Sequence, residues 1–190
     1  MSSKLFYSVL ALLILGFVTY IGVAQRSKPA EAKVGTYHQS MGEKHIMSGQ
    51  QHAAYNSNLP SSGPHYADAD APAPWGVYVQ EVQDEIFLHN EEHGGIVVAY
   101  QPSLPKDQIE KLQKLFAPPY SDPSFSPAKA IVTPRSKNDK PIELAAWTYT
   151  LSLDKFDQAT IEKFYLQHVS HSPESTGGPY NKPIIQTKGS

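Results

Sequence analysis

The chain has 190 residues, 16 Lys and Arg against 18 Asp and Glu, a formal net charge of −2 and no cysteine. That length allows one domain and a small appendage. The near-neutral, scattered charge argues against a nucleic-acid partner. The lack of cysteine excludes disulfides, thiolate catalysis and thiolate metal sites.

The first element is an apolar run, Leu5 to Ala24 (LFYSVLALLILGFVTYIGVA), preceded by Lys4 and followed by Arg26 and Lys28. As a helix it would span roughly 30 Å, the thickness of a bilayer core. It is longer than the apolar part of a secretory signal, about 7–15 residues. Residues 1–24 are therefore expected to be a single N-terminal transmembrane signal anchor, although Gly22-Val23-Ala24 resembles a cleavage site. The membrane is thus one expected partner, with the rest of the chain on the extracytoplasmic side. Residues 25–50 read as a polar tether and strap, and 51–170 as the folded domain. The segment 171–190, rich in Pro, Gly and Ser, reads as a mobile tail.

Within the domain, Tyr55 to Pro64 and Ala67 to Pro74 are dense in turn formers and predict a long loop, a type that is often functional. Trp75–Val79 predicts a short strand. Asp84–His93 predicts a helix closed by Gly94 in a left-handed conformation. Ile96–Tyr100 reads as a buried strand, and Pro105–Phe116 as an amphipathic helix with Ile109, Leu112, Leu115 and Phe116 on one face. Ala130–Thr133 and Ile142–Thr150 read as strands. Asp157–His168 reads as a second amphipathic helix with Ile161, Phe164 and Tyr165 inward. This order predicts an α+β fold, a small sheet with helices packed on one face.

Two segments carry candidate chemistry: Ser-Gly-Pro-His65-Tyr and His89-Asn-Glu-Glu92-His93-Gly-Gly. Imidazole is the commonest protein metal ligand. Four residues apart on a helix, His89 and His93 share a face and can close on one ion. His65 would join them from a separate turn, and His45 is a candidate fourth ligand. The ions suited to such a set are copper and zinc. Met41 and Met47 flank His45, a thioether–imidazole pairing that favours copper(I). Methionines that merely fill gaps against the domain are the simpler account of the two. The acids Glu81, Asp84, Glu85, Glu91 and Glu92 read as a solvated helix face that also raises local cation concentration.

Each residue also has a plainer reading. Histidines near a helix C-terminus gain from the macrodipole; that account suffices for His168 and His171 and would serve His89 or His93 singly. His38 and His52 are expected to face water, and Trp75, Tyr78 and Trp147 to form core or pocket wall. The spacing H-x-x-E-H also matches a class of zinc metallopeptidase, with Glu92 as general base. Gly94-Gly95 stops the helix where that class continues it, and no second long helix supplies a downstream acidic ligand. No Gly-x-Ser-x-Gly elbow and no phosphate-binding glycine loop are present.

Three segments resemble a bacterial membrane-anchored family, domain-of-unknown-function family 3105. They are Tyr55-Asn-Ser-Asn-Leu-Pro-Ser-Ser-Gly-Pro-His65-Tyr66, Gly76-Val-Tyr78, and Leu88-His89-Asn-Glu-Glu92-His93-Gly94-Gly95-Ile-Val-Val-Ala-Tyr100. Ile131-Val-Thr-Pro-Arg135 and Ala146-Trp147 extend the likeness, which covers roughly 45–175. Against the family pattern, Leu59 replaces a proline, Ser61 a threonine and Glu91 a leucine; the histidines, Glu92 and the glycine match. The resemblance implies a single-span anchor with an exported domain and brings no activity with it. The expectation is metal carriage or a structural metal site rather than chemistry on a substrate. Two alternatives stand beside it: a zinc hydrolase using Glu92, and a non-catalytic accessory subunit of a membrane complex that makes contacts through the loop at 55–74.

Overall fold

The computed structural model describes residues 3–26, 32–68, 71–116 and 128–175. It comprises two units, Met1–Ala32 and Lys33–Ser190. The first unit holds helix α1 (Ser3–Arg26), whose described side chains are exposed, Leu12, Phe17 and Tyr20 among them. Among the described residues no helix is long and apolar enough to cross a membrane. The side chains of α1 are described without a break only over 9–21, about 20 Å of helix against about 30 Å of hydrocarbon. The spanning segment expected for 1–24 therefore rests on the sequence alone.

The second unit is α+β. In chain order it contains β1 (Thr36–Tyr37), β2 (His45–Ile46), β3 (His65–Tyr66), β4 (Gly76–Val77), α2 (Asp84–Glu92), β5 (Ile96–Tyr100), α3 (Lys106–Phe116), β6 (Ala130–Pro134), β7 (Ile142–Ala146), β8 (Tyr149–Leu153) and α4 (Gln158–His168). Six strands form one mixed sheet in the order β1-β8-β7-β5-β6-β4; β2 and β3 form a separate parallel pair. The β5–β6–β4 side is parallel, and the pairs β5–β7, β7–β8 and β8–β1 are antiparallel.

The helices do not lie on one face, as the element order suggested. Ile96, Val98 and Tyr100 pack with α3 and α4 through Leu112, Phe116, Ile161 and Phe164. Val97 and Ala99 point the other way, into a second cluster with Phe87 and Leu88 of α2, Leu59 and Trp147. Strand side chains alternate between faces, so a run such as Ile-Val-Val-Ala-Tyr, buried at every position, requires cover on both sides. On the second face that cover is α2 and the segment around Leu59, which is buried although its turn-rich composition reads as a surface loop.

The single strand expected over 142–150 is a hairpin. Thr148 adopts φ +64 between β7 and β8, a conformation that usually signals glycine or asparagine. The Thr148 amide donates to Ser61 O at 2.7 Å and its hydroxyl donates to Trp147 O at 2.7 Å. The turn is therefore held by tertiary contacts rather than by turn residues.

Two polar ties fix the periphery. At the start of α2, Arg135 clasps Asp84 with Nε–Oδ1 and Nη2–Oδ2 both at 2.9 Å, and its Nη1 donates to Asn58 Oδ1 and Asn138 Oδ1. At the last helix, buried His168 donates from Nε2 to Val34 O at 2.8 Å and packs on Phe164 and Tyr149. A packed core residue, not a solvated helix end, thus occupies position 168. Ser170 N donates to Gly94 O and Glu174 N to Glu92 O, so 171–175 is bound to the domain; 176–190 lies outside the described residues.

Removing one partner of a buried ion pair strands the other. Asp84→Ala in the full chain is expected to lower the unfolding free energy by about 3–5 kcal/mol, read from urea midpoints. Burial, aided by the positive charge of Lys33, holds the His168 pKa below its ordinary value. The unfolded chain therefore binds the extra proton first, and this contribution to stability is present above the ordinary histidine pKa and lost as pH falls through about 6.5. His168→Gln is expected to flatten the decline of the thermal midpoint between pH 7 and pH 5.

Candidate metal centre

The centre is assembled from two parallel two-residue strands and one helix end. β2 and β3 pair with His45 opposite His65. Neighbouring strands lie about 4.7–4.9 Å apart, and the two rings stand 4.9 Å apart, centroid to centroid. α2 supplies the rest. His89 and His93 sit one turn apart with stacked rings at 4.8 Å, as their spacing predicts. The ring of His89 is also 5.2 Å from those of His45 and His65. All four expected histidines meet, but in two overlapping groups: His45, His65 and His89, and His89, Glu92 and His93. Within each group the donor atoms lie within 4.8 Å of one another. His45 thus stands beside His65 and His89 on the same footing as His93, and Glu92 belongs to the cluster itself.

The helix end is shaped by its glycines. Gly95 N donates to Asn90 O and Gly94 N to Glu91 O, both at 2.8 Å, with Gly94 at φ +82. This is a Schellman closure, and it leaves His93 as the C-cap residue. A Cβ at Gly94 would lie 2.7 Å from Ser170 Cα, and one at Gly95 would lie 2.3 Å from the Trp75 ring. The pair therefore ends the helix and also admits the segments packed against it.

Hydrogen bonds set the state of the rings. A carbonyl oxygen only accepts, so His65 Nδ1, 2.8 Å from Gly63 O, carries its proton there. His89 Nδ1, 2.6 Å from Tyr66 O, does the same. In the neutral ring each Nε2 is then a lone pair. Backbone carbonyls hold metal-binding histidines in this way, fixing tautomer and orientation. His65 Nε2 lies 3.0 Å from Glu92 Oε2, and His45 Nε2 lies 3.0 Å from the same oxygen. A lone pair and a carboxylate oxygen at that distance need positive charge, either a proton on Nε2 or a shared cation. Two donors bonded to one ion at about 2.0 Å in tetrahedral array are roughly 3.3 Å apart. The two His–Glu92 separations and the 3.0 Å between His89 Nε2 and His93 Nε2 approach that edge length. Burial lowers the pKa of His89, which favours its neutral ring.

Of the acidic run, Asp84, Glu91 and Glu92 are buried rather than solvated, while Glu81 is exposed and Glu85 half-buried. Glu92 is 1% exposed, and its second oxygen, Oε1, is buried without a hydrogen-bond partner. Glu91 is 0% exposed with neither carboxylate oxygen hydrogen-bonded. Burial and the negative charge of Asp84 push its pKa well above the ordinary carboxylate range. Asn90 is buried and donates to and accepts from Ala73 backbone atoms at 2.7 and 3.0 Å. The remaining candidates stand apart. Met41 turns its sulfur to Asn56 N at 3.2 Å, and Met47 is 64% exposed. His38 bonds Thr150 Oγ1 and His52 bonds Glu85 Oε1, so both are half-buried and paired rather than facing water. Trp75 and Trp147 belong to the second core cluster, as expected. The carbonyls of Gly63 and Tyr66 were not legible, because any residue can supply a backbone oxygen.

A buried α+β domain face with a histidine–carboxylate cluster that could hold a metal ion is therefore what the fold and site define. The family described as "Protein of unknown function (DUF3105)" matches residues 45–180, and the chain belongs to it. No curated protein matches the chain, and no solved structure does.

Glu91 yields a direct test. Replacing a buried acid that lacks hydrogen-bond partners with an apolar side chain removes its desolvation cost, about 1–3 kcal/mol. Glu91→Leu is expected to raise the unfolding free energy by that order. A folded-state pKa above the unfolded value gives stability that fades as pH rises through the ordinary carboxylate range. The gain of Glu91→Leu over the parent chain should therefore be smaller at pH 4 than at pH 7.

Proposed function

We propose that this chain is a membrane-anchored, extracytoplasmic metal-binding protein that holds copper or zinc at its histidine cluster for carriage or as a structural site. His65 and His89 are the core ligands, with His45, His93 and Glu92 completing the sphere. The observation that carries this reading is the pair of Nδ1–carbonyl hydrogen bonds, His65 to Gly63 and His89 to Tyr66. They turn two Nε2 lone pairs into a space shared with a buried carboxylate oxygen. The donor set, imidazole with carboxylate and no thiolate, suits zinc or copper. His45 is 45% exposed while His65 is buried, which gives an ion a way in from one side.

Binding fits the site better than hydrolysis. A general base must reach the water it deprotonates, whereas Glu92 Oε2 already faces two imidazoles and Oε1 is enclosed. The anchor is argued from the uncharged apolar run Leu5 to Ala24. A helix that is apolar all round requires an apolar environment.

The test uses the full chain in detergent, stripped with chelator and then dialysed against Zn²⁺ or Cu⁺ with metal counted per chain. One ion per chain is expected, with a rise in thermal midpoint as metal saturates the folded state. Glu92→Gln should weaken binding about 10–100-fold, and the double variant His65→Ala with His89→Ala should abolish it. Stoichiometric metal retained by that double variant overturns the assignment. In cells, the chain should stay in the membrane pellet after alkaline carbonate washing, and deletion of 1–24 should release it.

A further inference from the structure

His89 belongs to both donor groups, His45–His65–His89 and His89–Glu92–His93, yet it has one nitrogen to give. Its Nδ1 is tied to Tyr66 O, so a single Nε2 lone pair serves whichever group is filled. The two groups are therefore alternative positions for one ion rather than a paired-metal site. Glu92 serves both. Its Oε2 lies 3.0 Å from the Nε2 atoms of His45 and His65, and its carboxylate is a member of the second group. Its other oxygen, Oε1, is buried and unpartnered, and a buried acceptor in that state gains from any cation it can reach. The His89 ring stacks on both neighbours, at 16° to His45 and 27° to His93, so the two positions adjoin.

The second position has an orienting group of its own. His93 Nδ1 lies 3.8 Å from Glu174 Oε2, with His93 half-buried and Glu174 exposed. The segment carrying Glu174 is fastened to the site, since Ser172 Oγ and Glu174 N both donate to Glu92 O, at 2.6 and 3.1 Å. A neutral ring that gives Nε2 to a metal carries its proton on Nδ1, and a carboxylate facing that N–H is the usual partner of a metal-bound histidine. We propose that one ion steps between the two positions on His89 and Glu92, and leaves the protein through the second. His93 is the exchange ligand, and Glu174 is the positioning residue that turns its Nε2 towards the ion. A structural zinc site is closed around a fixed set of donors; a stepwise change of donors belongs to carriage. The inference rests on metal binding at the cluster, as proposed above.

The probe is Zn²⁺. The zinc-loaded full chain in detergent is mixed with excess pyridylazoresorcinol, and transfer to the chelator is followed by absorbance. Affinity is measured separately by competition at equilibrium. Removing a ligand that merely holds the ion speeds its loss, whereas removing one through which it leaves slows it. His93→Ala is therefore expected to slow transfer about tenfold, and Glu174→Ala about threefold, each with a smaller change in affinity than in rate. Glu174→Gln keeps an acceptor oxygen for the ring N–H and should recover most of the rate. The Glu174 variants alter an exposed side chain and decide the matter should His93→Ala not fold. Unchanged or faster transfer from the Ala variants, with zinc still bound, overturns this inference and leaves the metal-binding reading in place. A parent chain that binds no zinc overturns both.

Discussion

One carboxylate oxygen, Glu92 Oε2, lies 3.0 Å from two imidazole nitrogens that arrive from different strands. That contact can form only if β2 and β3 pair in register, if α2 ends where it does, and if the interior tolerates a carboxylate with almost no exposure. The Schellman closure ends the helix at the right residue, and Ser172 Oγ donates to Glu92 O at 2.6 Å. The chain beyond α4 thus returns to cover the last turn. The local geometry of this region serves one buried charge and the groups around it.

That arrangement makes α2 an unusual helix. Asp84, His89, Asn90, Glu91 and Glu92 are all buried, alongside Phe87 and Leu88. Apolar burial of Phe87 and Leu88, about 1.5–3 kcal/mol each, attaches the helix to the sheet. The polar groups mostly find fixed partners: Arg135 for Asp84, Ala73 for Asn90, and Tyr66 O for His89. Glu91 is the exception, and its raised pKa reconciles it with the site.

The strongly periodic parts of the fold were legible. Ile96–Tyr100, the amphipathic faces of α3 and α4, and the left-handed Gly94 can be read from residue type and spacing. The two-sided sheet was less so, because its second cover includes Leu59 inside a turn-rich stretch whose composition suggests solvent. The hairpin at Thr148 escaped for a related reason: the residue that adopts φ +64 is one whose sequence gives no sign of it. At the site, His89 and His93 were visible through helical spacing. The standing of His45 depended on a pairing of two-residue strands, too short for any periodicity to reveal. The acidic run misled, since charge alone does not distinguish a wet helix face from carboxylates buried beside histidine and arginine.

The two outermost strands of the main sheet, β1 and β4, are each only two residues long. Exposed sheet borders invite other chains to add themselves by main-chain hydrogen bonding, and natural folds blunt them by keeping them short. Here the five-residue strands at the centre are shielded laterally by fragments that offer few free amides and carbonyls. Many copies could therefore crowd together without their sheets knitting into a continuous ribbon.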